Sequence, residues 1–348
     1  MKKTVYWSLA LLIGISCAPQ RQPGSASSSV ASPDTTQRLT TIAFGSCNKQ
    51  EEPQPLWDDI LAQQPDLWVW LGDNIYADTD NMKEMRTMYA QQRAQPDYQR
   101  LVASVPVIGT WDDHDFGVND GGKNFQNKAA SRDLLLEFLN VPKDRPVWNH
   151  DGAYQSYTFG PTGQRVKVLL LDTRYFRDEL SASAQEGHRY GPNSEGDLLG
   201  EAQWQWLEHE LATSDAQINI IGSSIQVLAE DHGFEKWANF PLSRERLFTL
   251  VSKARASGVI LLSGDRHIAE VSRYEAPDLP YPLYDITSSG LTHVYEEASE
   301  ENRYRVSPLI TVLNFGLLTI DWNSNPLQVT YQVMGEQGKV LDEGAIAF

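Results

Sequence analysis

Five apolar segments of this chain end alike, in a tight turn that carries a potential metal ligand or acid–base side chain. They are Ala43-Phe-Gly-Ser-Cys47, Trp70-Leu-Gly-Asp73, Gly109-Thr-Trp-Asp112-Asp113-His114, Leu170-Leu-Asp172-Thr-Arg174 and Leu262-Ser-Gly-Asp265-Arg-His267. An Asp after one strand is more often a helix cap than a ligand. Five such ends carrying Cys, Asp, His and Arg point instead to loops that converge at the carboxyl edge of an α/β sheet, where ligands bind. Carboxylates suit hard cations, and thiolate and imidazole suit a transition metal. The mixed set therefore predicts more than one ion, with a carboxylate between them.

The third segment runs on into Asp115 and Asp120, so four acids fall within nine residues. Carboxylates that close titrate abnormally unless something positive stands between them. A solvated turn, arginine partners and metal ions are the three candidates. A calcium loop of the EF-hand kind does not fit, because Gly117 replaces a ligand, Asp120 stands at the glycine position and Gln126 replaces the final glutamate.

The elements that must position these residues follow from periodicity. Strands are expected over 39–45, 66–71, 105–111, 166–171, 218–221 and 259–262, then over 268–274, 283–287, 315–321 and 328–334. Helices are expected over 56–63, 82–93, 98–104, 123–139, 201–211 and 243–257. Strand and helix alternate first, and strands dominate the end. That order predicts one α/β domain of two mixed sheets packed face to face with helices outside.

Composition bounds the rest. The chain has 348 residues, 41% hydrophobic and 22% charged, enough for a sizeable core. A formal net charge of −17 argues against a nucleic-acid surface. Residues 1–17 place Lys2 and Lys3 before a short apolar run that ends in small residues and Cys17. The run is too short to span a bilayer comfortably and reads as an export signal. Cys17 stands where bacterial lipoproteins are acylated, although Gly14 replaces the usual leucine; simple secretion remains the alternative. Residues 18–38, rich in Ser, Pro, Gln and Thr, read as a disordered tether, and the fold is expected over 39–348. Cys47 would then be a lone thiol in an oxidising compartment, which asks for a reason.

Gly45-Ser-Cys47, Gly72-Asp-Asn-Ile-Tyr-Ala-Asp78, Trp111-Asp-Asp-His-Asp115, Asp172-Thr-Arg174, Glu235-Lys-Trp-Ala-Asn-Phe-Pro241 and Ser263-Gly-Asp-Arg-His267 occur in this order. In that combination the chain resembles the alkaline phosphatase D family of metallophosphatases, related to the purple acid phosphatases. The resemblance implies a four-layer α/β/β/α sandwich and a centre of iron(III) with calcium, two calcium ions being expected. It implies hydrolysis of a phosphate ester by a metal-bound hydroxide. Position by position, Cys47, Asp73, Tyr76 and His267 resemble the iron ligands, with Asp73 bridging, and Asp113, Asn119 and Asp265 resemble calcium ligands. Arg174 resembles the phosphate clamp and His114 the acid that protonates the leaving oxygen. Trp237 is a candidate for the substrate mouth, and His293 for a further site residue. Phosphomonoesterase, phosphodiesterase or phospholipase, and a non-catalytic metal-binding surface lipoprotein stay open. Substrate choice is expected to lie in loops 79–100, 181–200 and 275–305.

Overall fold

The computed structural model describes Met1, residues 33–254 and residues 256–348. Cys17, the rest of the expected signal beyond Met1, and residues 18–32 of the expected tether lie outside the described residues. Residues 33–38 are described and rest against a hairpin. Gly160 N donates to Thr35 O at 3.0 Å, and the Arg38 side chain donates to Gln164.

Fourteen strands are described. They are β1 (Thr41–Gly45), β2 (Leu67–Leu71), β3 (Val107–Thr110), β4 (Gln155–Phe159), β5 (Val166–Leu170), β6 (Ser181–Ala182), β7 (Tyr190–Gly191), β8 (Ile218–Gly222), β9 (Val259–Ser263), β10 (Ala269–Tyr274), β11 (Leu283–Ser288), β12 (Phe315–Asp321), β13 (Gln328–Met334) and β14 (Val340–Ala347). Two sheets of six strands have the orders β14-β13-β12-β1-β2-β3 and β10-β11-β9-β8-β5-β4, and β6-β7 form a small ribbon. In the first sheet β1, β2 and β3 are parallel. In the second, β5, β8, β9 and β11 are parallel.

Period-two alternation decides the layers. Ile42, Phe44, Leu67, Val69 and Leu71 of the first sheet meet Val166, Val168, Leu170, Ile260 and Leu262 of the second in one buried core. The alternate residues face outward. Trp68 and Trp70 pack under α1 (Trp57–Ala62), α2 (Met82–Ala94), α3 (Pro96–Ser104) and α5 (Lys128–Phe138). Leu169, Ile221 and Leu261 pack under α6 (Gly200–Ala212) and α7 (Pro241–Ala254). The expected four layers, α/β/β/α, are therefore present. Strands buried on both faces read as unbroken apolar runs, as parallel strands covered on both sides must.

Candidate metal centre

The parallel strands of both sheets release their loops at one edge. Cys47 follows β1, Asp73 follows β2, Asp112–Asp115 follow β3, Asp172–Arg174 follow β5, and Asp265 and His267 follow β9. Cys47, Asp73, Asp265 and His267 all have left-handed backbones, with φ of 62°, 49°, 69° and 55°. Each costs roughly 1–2 kcal/mol in an L-residue, and such strain gathers at functional sites. Gly72 explains how the β2 loop turns so tightly: with φ of 101°, a Cβ there would lie 2.6 Å from that of Asp112. A Cβ on Gly264 would lie 2.5 Å from Ser46 Oγ, so the β1 and β9 loops touch across the sandwich.

Three overlapping groups of donor atoms result: Cys47, Asp73 and His267; Asp73, Asp113 and His114; Asp112, Asp113 and Asp265. Within each group the atoms lie within 4.8 Å of one another. Asp73 belongs to the first two and Asp113 to the last two, so the groups form a chain linked by shared carboxylates. Tyr76 completes the first group. Its hydroxyl lies 2.9 Å from His267 Nε2 and 3.2 Å from Asp73 Oδ2, and Cys47 Sγ lies 3.5 Å from the same oxygen.

The donors fit metal ions electrostatically as well as geometrically. Burial, and after it the charge of Asp73, push the Cys47 thiol and the Tyr76 phenol well above their usual ranges. Burial likewise raises the Asp73 and Asp265 carboxyls, and neighbouring carboxylates add to the rise. Among the described ion pairs none involves Asp73 or Asp265. His114 beside Asp73 and Arg266 near Asp265 offset only part of the burial cost, and an anionic set so weakly compensated is costly unless cations supply the charge.

The surrounding residues show why the four acids near His114 differ. Asp112 answers as an arginine partner: Arg174 Nε donates to its Oδ1 at 2.5 Å, and Ser224 Oγ donates to the same oxygen. Asp113 is the acid of the four that belongs to two of the donor groups, Asp112 belonging to one. Asp115 holds the loop by accepting from the backbone N–H groups of Asp112, Asp73 and Asn74 and from the Asn74 side chain. Asp120 is at the rim, paired with Arg189 at 2.8 Å and accepting from Tyr190 OH. Asn119 lines the cavity from the exposed part of that rim.

Two expected roles need correction. Arg174 is fully buried, its guanidinium closed by Asp112 and by Glu235 at 2.6 Å. It stands behind the donors and fixes them, so it is not placed to clamp a phosphate. Trp237 is also fully buried, with Nε1 donating to Ser223 Oγ and its ring edge-on to Trp204. The residue of that loop that reaches the mouth is Phe234, three positions earlier.

His114 lies at the cavity, its ring centroid 4.1 Å from that of Tyr76. Its Nδ1 is 2.7 Å from Asp78 Oδ2. Burial opposes charge on this imidazole, but Asp73, the Asp78 hydrogen bond and Asp113 outweigh it and raise its pKa to about 10. His293 stands beside the centre, 4.3 Å from the ring of His267 and 5.0 Å from that of Tyr76.

Sequence reasoning read Asp78 as part of a solvated turn, left Asp115 open between metal ligand and neighbour-orienting acid, and gave Glu235 no role of its own. The three-residue step from Asp112 to Asp115 has capping-box spacing, and the structure forms its reciprocal half, Asp112 N donating to Asp115 Oδ1 at 2.7 Å. Glu235 had no local signal, because its partners Arg174 and Arg177 lie about sixty positions away.

A face-to-face α/β sandwich whose converging loops hold a carboxylate-linked chain of donors is the architecture of a metallophosphatase. Residues 42–301 match the family described as PhoD-like phosphatase. The chain belongs to that family. It is 24% identical over 284 residues to alkaline phosphatase D of Bacillus subtilis (strain 168), a match covering 67% of this chain and 46% of the relative. The chain thus spans about half the length of that curated relative. Among solved structures, PhoD superposes with a TM-score of 0.68 at 19% identity, covering 91% of this chain and 70% of PhoD. A dimetal phosphatase from Danio rerio gives 0.57 at 14% identity, covering 90% of this chain and all of that one. GAP50, the anchor in the inner membrane complex of Plasmodium, gives 0.58 at 13% identity, covering 90% of each chain.

Proposed function

We propose that the chain is an exported phosphoric ester hydrolase of the alkaline phosphatase D type, acting on a phosphomonoester. The observation that carries this reading is the chain of three donor groups joined through Asp73 and Asp113, of which Asp113, His114, Asp265 and His267 line a cavity of about 400 Å3. Cys47, Asp73, Tyr76 and His267 would hold iron(III); Asp113 and Asp265, with Asn119 beside them, would hold calcium. Thiolate, phenolate and imidazole favour the ferric ion, and the oxygen donors favour calcium. Bound there, the ions would neutralise phosphoryl charge and lower the pKa of water to supply a nucleophile near neutral pH.

The protein's own groups do the rest. Arg266 and Arg189 are the guanidinium groups that line the cavity among the described residues, and they favour an anionic substrate at its mouth. His114 stands at the cavity to give its proton to the leaving oxygen. Asp78 fixes the ring by its Nδ1. Arg174 sets Asp112, and Asp115 clamps the β2 loop to the β3 loop, so the donors keep their places without rearranging. Export rests on the Lys2-Lys3 start, the apolar run after it and Cys17, whose acylation would tether the protein to a membrane.

Hydrolysis of p-nitrophenyl phosphate and bis-p-nitrophenyl phosphate by the metal-loaded chain, with and without a calcium chelator, tests the reading. Chelator-sensitive preference for the monoester is expected. Preference for the diester would move the assignment to a phosphodiesterase. Absence of turnover in protein with measured metal content would leave a metal-binding protein. Radiolabelled palmitate incorporation that disappears in Cys17→Ala tests the lipid anchor.

A further inference from the structure

Large apolar side chains are rarely left exposed and rigid beside a reactive centre without a use for them. Phe234 and Tyr295 are such a pair, 36% and 39% exposed, and both line the cavity that holds Asp113, His114, Asp265 and His267. Their ring centroids are 6.4 Å apart and nearly perpendicular, at 79°. Neither ring hangs on a loose loop. Tyr295 N donates to His267 O at 2.8 Å, and Phe234 N donates to His232 Nδ1 at 3.2 Å.

The same turn that presents Asp265 and His267 places Arg266 against Phe234, with the guanidinium 4.0 Å from the ring centroid. Glu300 holds that guanidinium at 2.8 Å. A cation fixed against one aromatic ring, with a second ring edge-on, suits another flat π system, through edge-to-face or stacked contact. An alkyl chain fits less well, since beyond the two rings Tyr190 and Val294 stand among the polar Arg189, Asp120 and Asn119.

We propose that Phe234 and Tyr295 form the specificity lip of the site and take an aromatic group, aryl or nucleobase, on the phosphate ester. The phosphoryl group then lies on the donor floor and the aromatic group on the lip. This inference rests on the hydrolase reading above and deepens it to a substrate class.

The test uses the metal-loaded full chain, with Phe234→Ala, Phe234→Leu and Tyr295→Ala, on 2-naphthyl phosphate, glycerol 2-phosphate and a short-chain phosphatidylcholine. Binding of naphthylphosphonate and methylphosphonate, neither of which is hydrolysed, is measured by calorimetry on the same proteins. Comparing each variant with wild type cancels the different intrinsic reactivities of the esters. Each alanine variant is expected to lower kcat/KM for the naphthyl ester about 10- to 100-fold, the scale of a lost pocket contact, chiefly through KM. Glycerol phosphate should change by less than about threefold, and naphthylphosphonate should lose affinity in parallel while methylphosphonate does not. Phe234→Leu, which keeps bulk but not the ring, should lose most of the same discrimination.

Equal losses on both monoesters, or none, would overturn the lip, as would a loss confined to the phospholipid. If wild type hydrolyses no ester, the hydrolase reading falls and the phosphonate comparison alone decides the lip.

Discussion

Two buried charge clusters adjoin at the same sheet edge and are built on opposite plans. In one, Arg174 and Arg177 stand between Asp112 and Glu235, with N–O separations of 2.5–3.0 Å, and all four side chains are at most 1% exposed. In the other, Cys47 and Asp73 are buried and Asp265 is half-buried at the cavity wall, none of them in an ion pair with arginine or lysine, and burial raises all three well above their ordinary pKa values. Asp113 lies at the seam. Burial opposes its ionisation, yet Arg174, His114 and backbone N–H donors hold its pKa below the usual carboxylate value. The difference teaches where the fold supplies its own cations and where it leaves them to ions.

Removing the shared donor should give the largest effect. Asp73→Asn withdraws a carboxylate common to two donor groups. Metal-borne charge stabilisation is worth several kcal/mol, so turnover should fall about a thousandfold or more. Metal content should drop with it, while the metal-free variant melts no lower than metal-free wild type, since a carboxyl whose ionisation burial makes costly has gone. A metal-free variant that melts well below wild type would erase the distinction between the clusters.

Arg174→Met makes the converse cut. It leaves Asp112 buried and unpaired and Glu235 with Arg177 alone, which should cost about 3–5 kcal/mol of stability, with or without metal. Denaturant melts measure it. A loss under about 1 kcal/mol would mean that Asp112 and Glu235 find other counter-charges, contrary to the closed geometry seen here.

Metal removal sharpens the same comparison. Ions at 100 times their Kd stabilise by about 2.7 kcal/mol, and chelation should remove that. The gap should also widen with pH. Raised carboxyls such as Asp73, Asp265 and Asp115, the last at about 7, make the metal-free folded protein bind more protons than the unfolded chain. Their stabilising effect is complete below the unfolded value of about 4 and is lost as pH rises through the folded values. Melting at pH 5 and pH 8, with and without chelator, measures this; a pH-independent gap would contradict it.

The donors of the second cluster were legible because they end apolar strands, and a strand end followed by Cys, Asp or His needs no tertiary knowledge to notice. The first cluster was not: Arg174 reads as a phosphate clamp until Glu235 is seen to close its other edge. The left-handed backbones of Cys47, Asp73, Asp265 and His267 were equally invisible, because none is the glycine or asparagine that advertises such a turn. Among elements, β4 and β14 went unread for a shared reason. Both are edge strands, and Gln-Ser-Tyr-Thr-Phe and Val-Leu-Asp-Glu-Gly-Ala-Ile-Ala lack the apolar run that inner strands need. The helix expected from Lys123 begins at Lys128, preceded by turns that tie Lys123 N to Arg177 O.

The smallest effect should come from the partly exposed partner of His114. Asp78 Oδ2 holds Nδ1 at 2.7 Å, but 44% of its side chain faces solvent, so the pair is weak. Asp78→Asn keeps a hydrogen-bonding group and removes the charge. Asp78 is among the groups that raise the His114 pKa, so without it the imidazolium loses its proton at a lower pH. The alkaline limb of kcat against pH should therefore move down, and kcat near the optimum should fall only about three- to tenfold, less than the 100-fold or more expected of His114→Gln. His114→Gln should abolish that limb, because nothing is left there to titrate. If Asp78→Asn leaves the limb unmoved while His114→Gln still abolishes it, the proton on His114 is held by the buried acids Asp73 and Asp113 alone, and the weakly compensated cluster reaches one residue further than its donors.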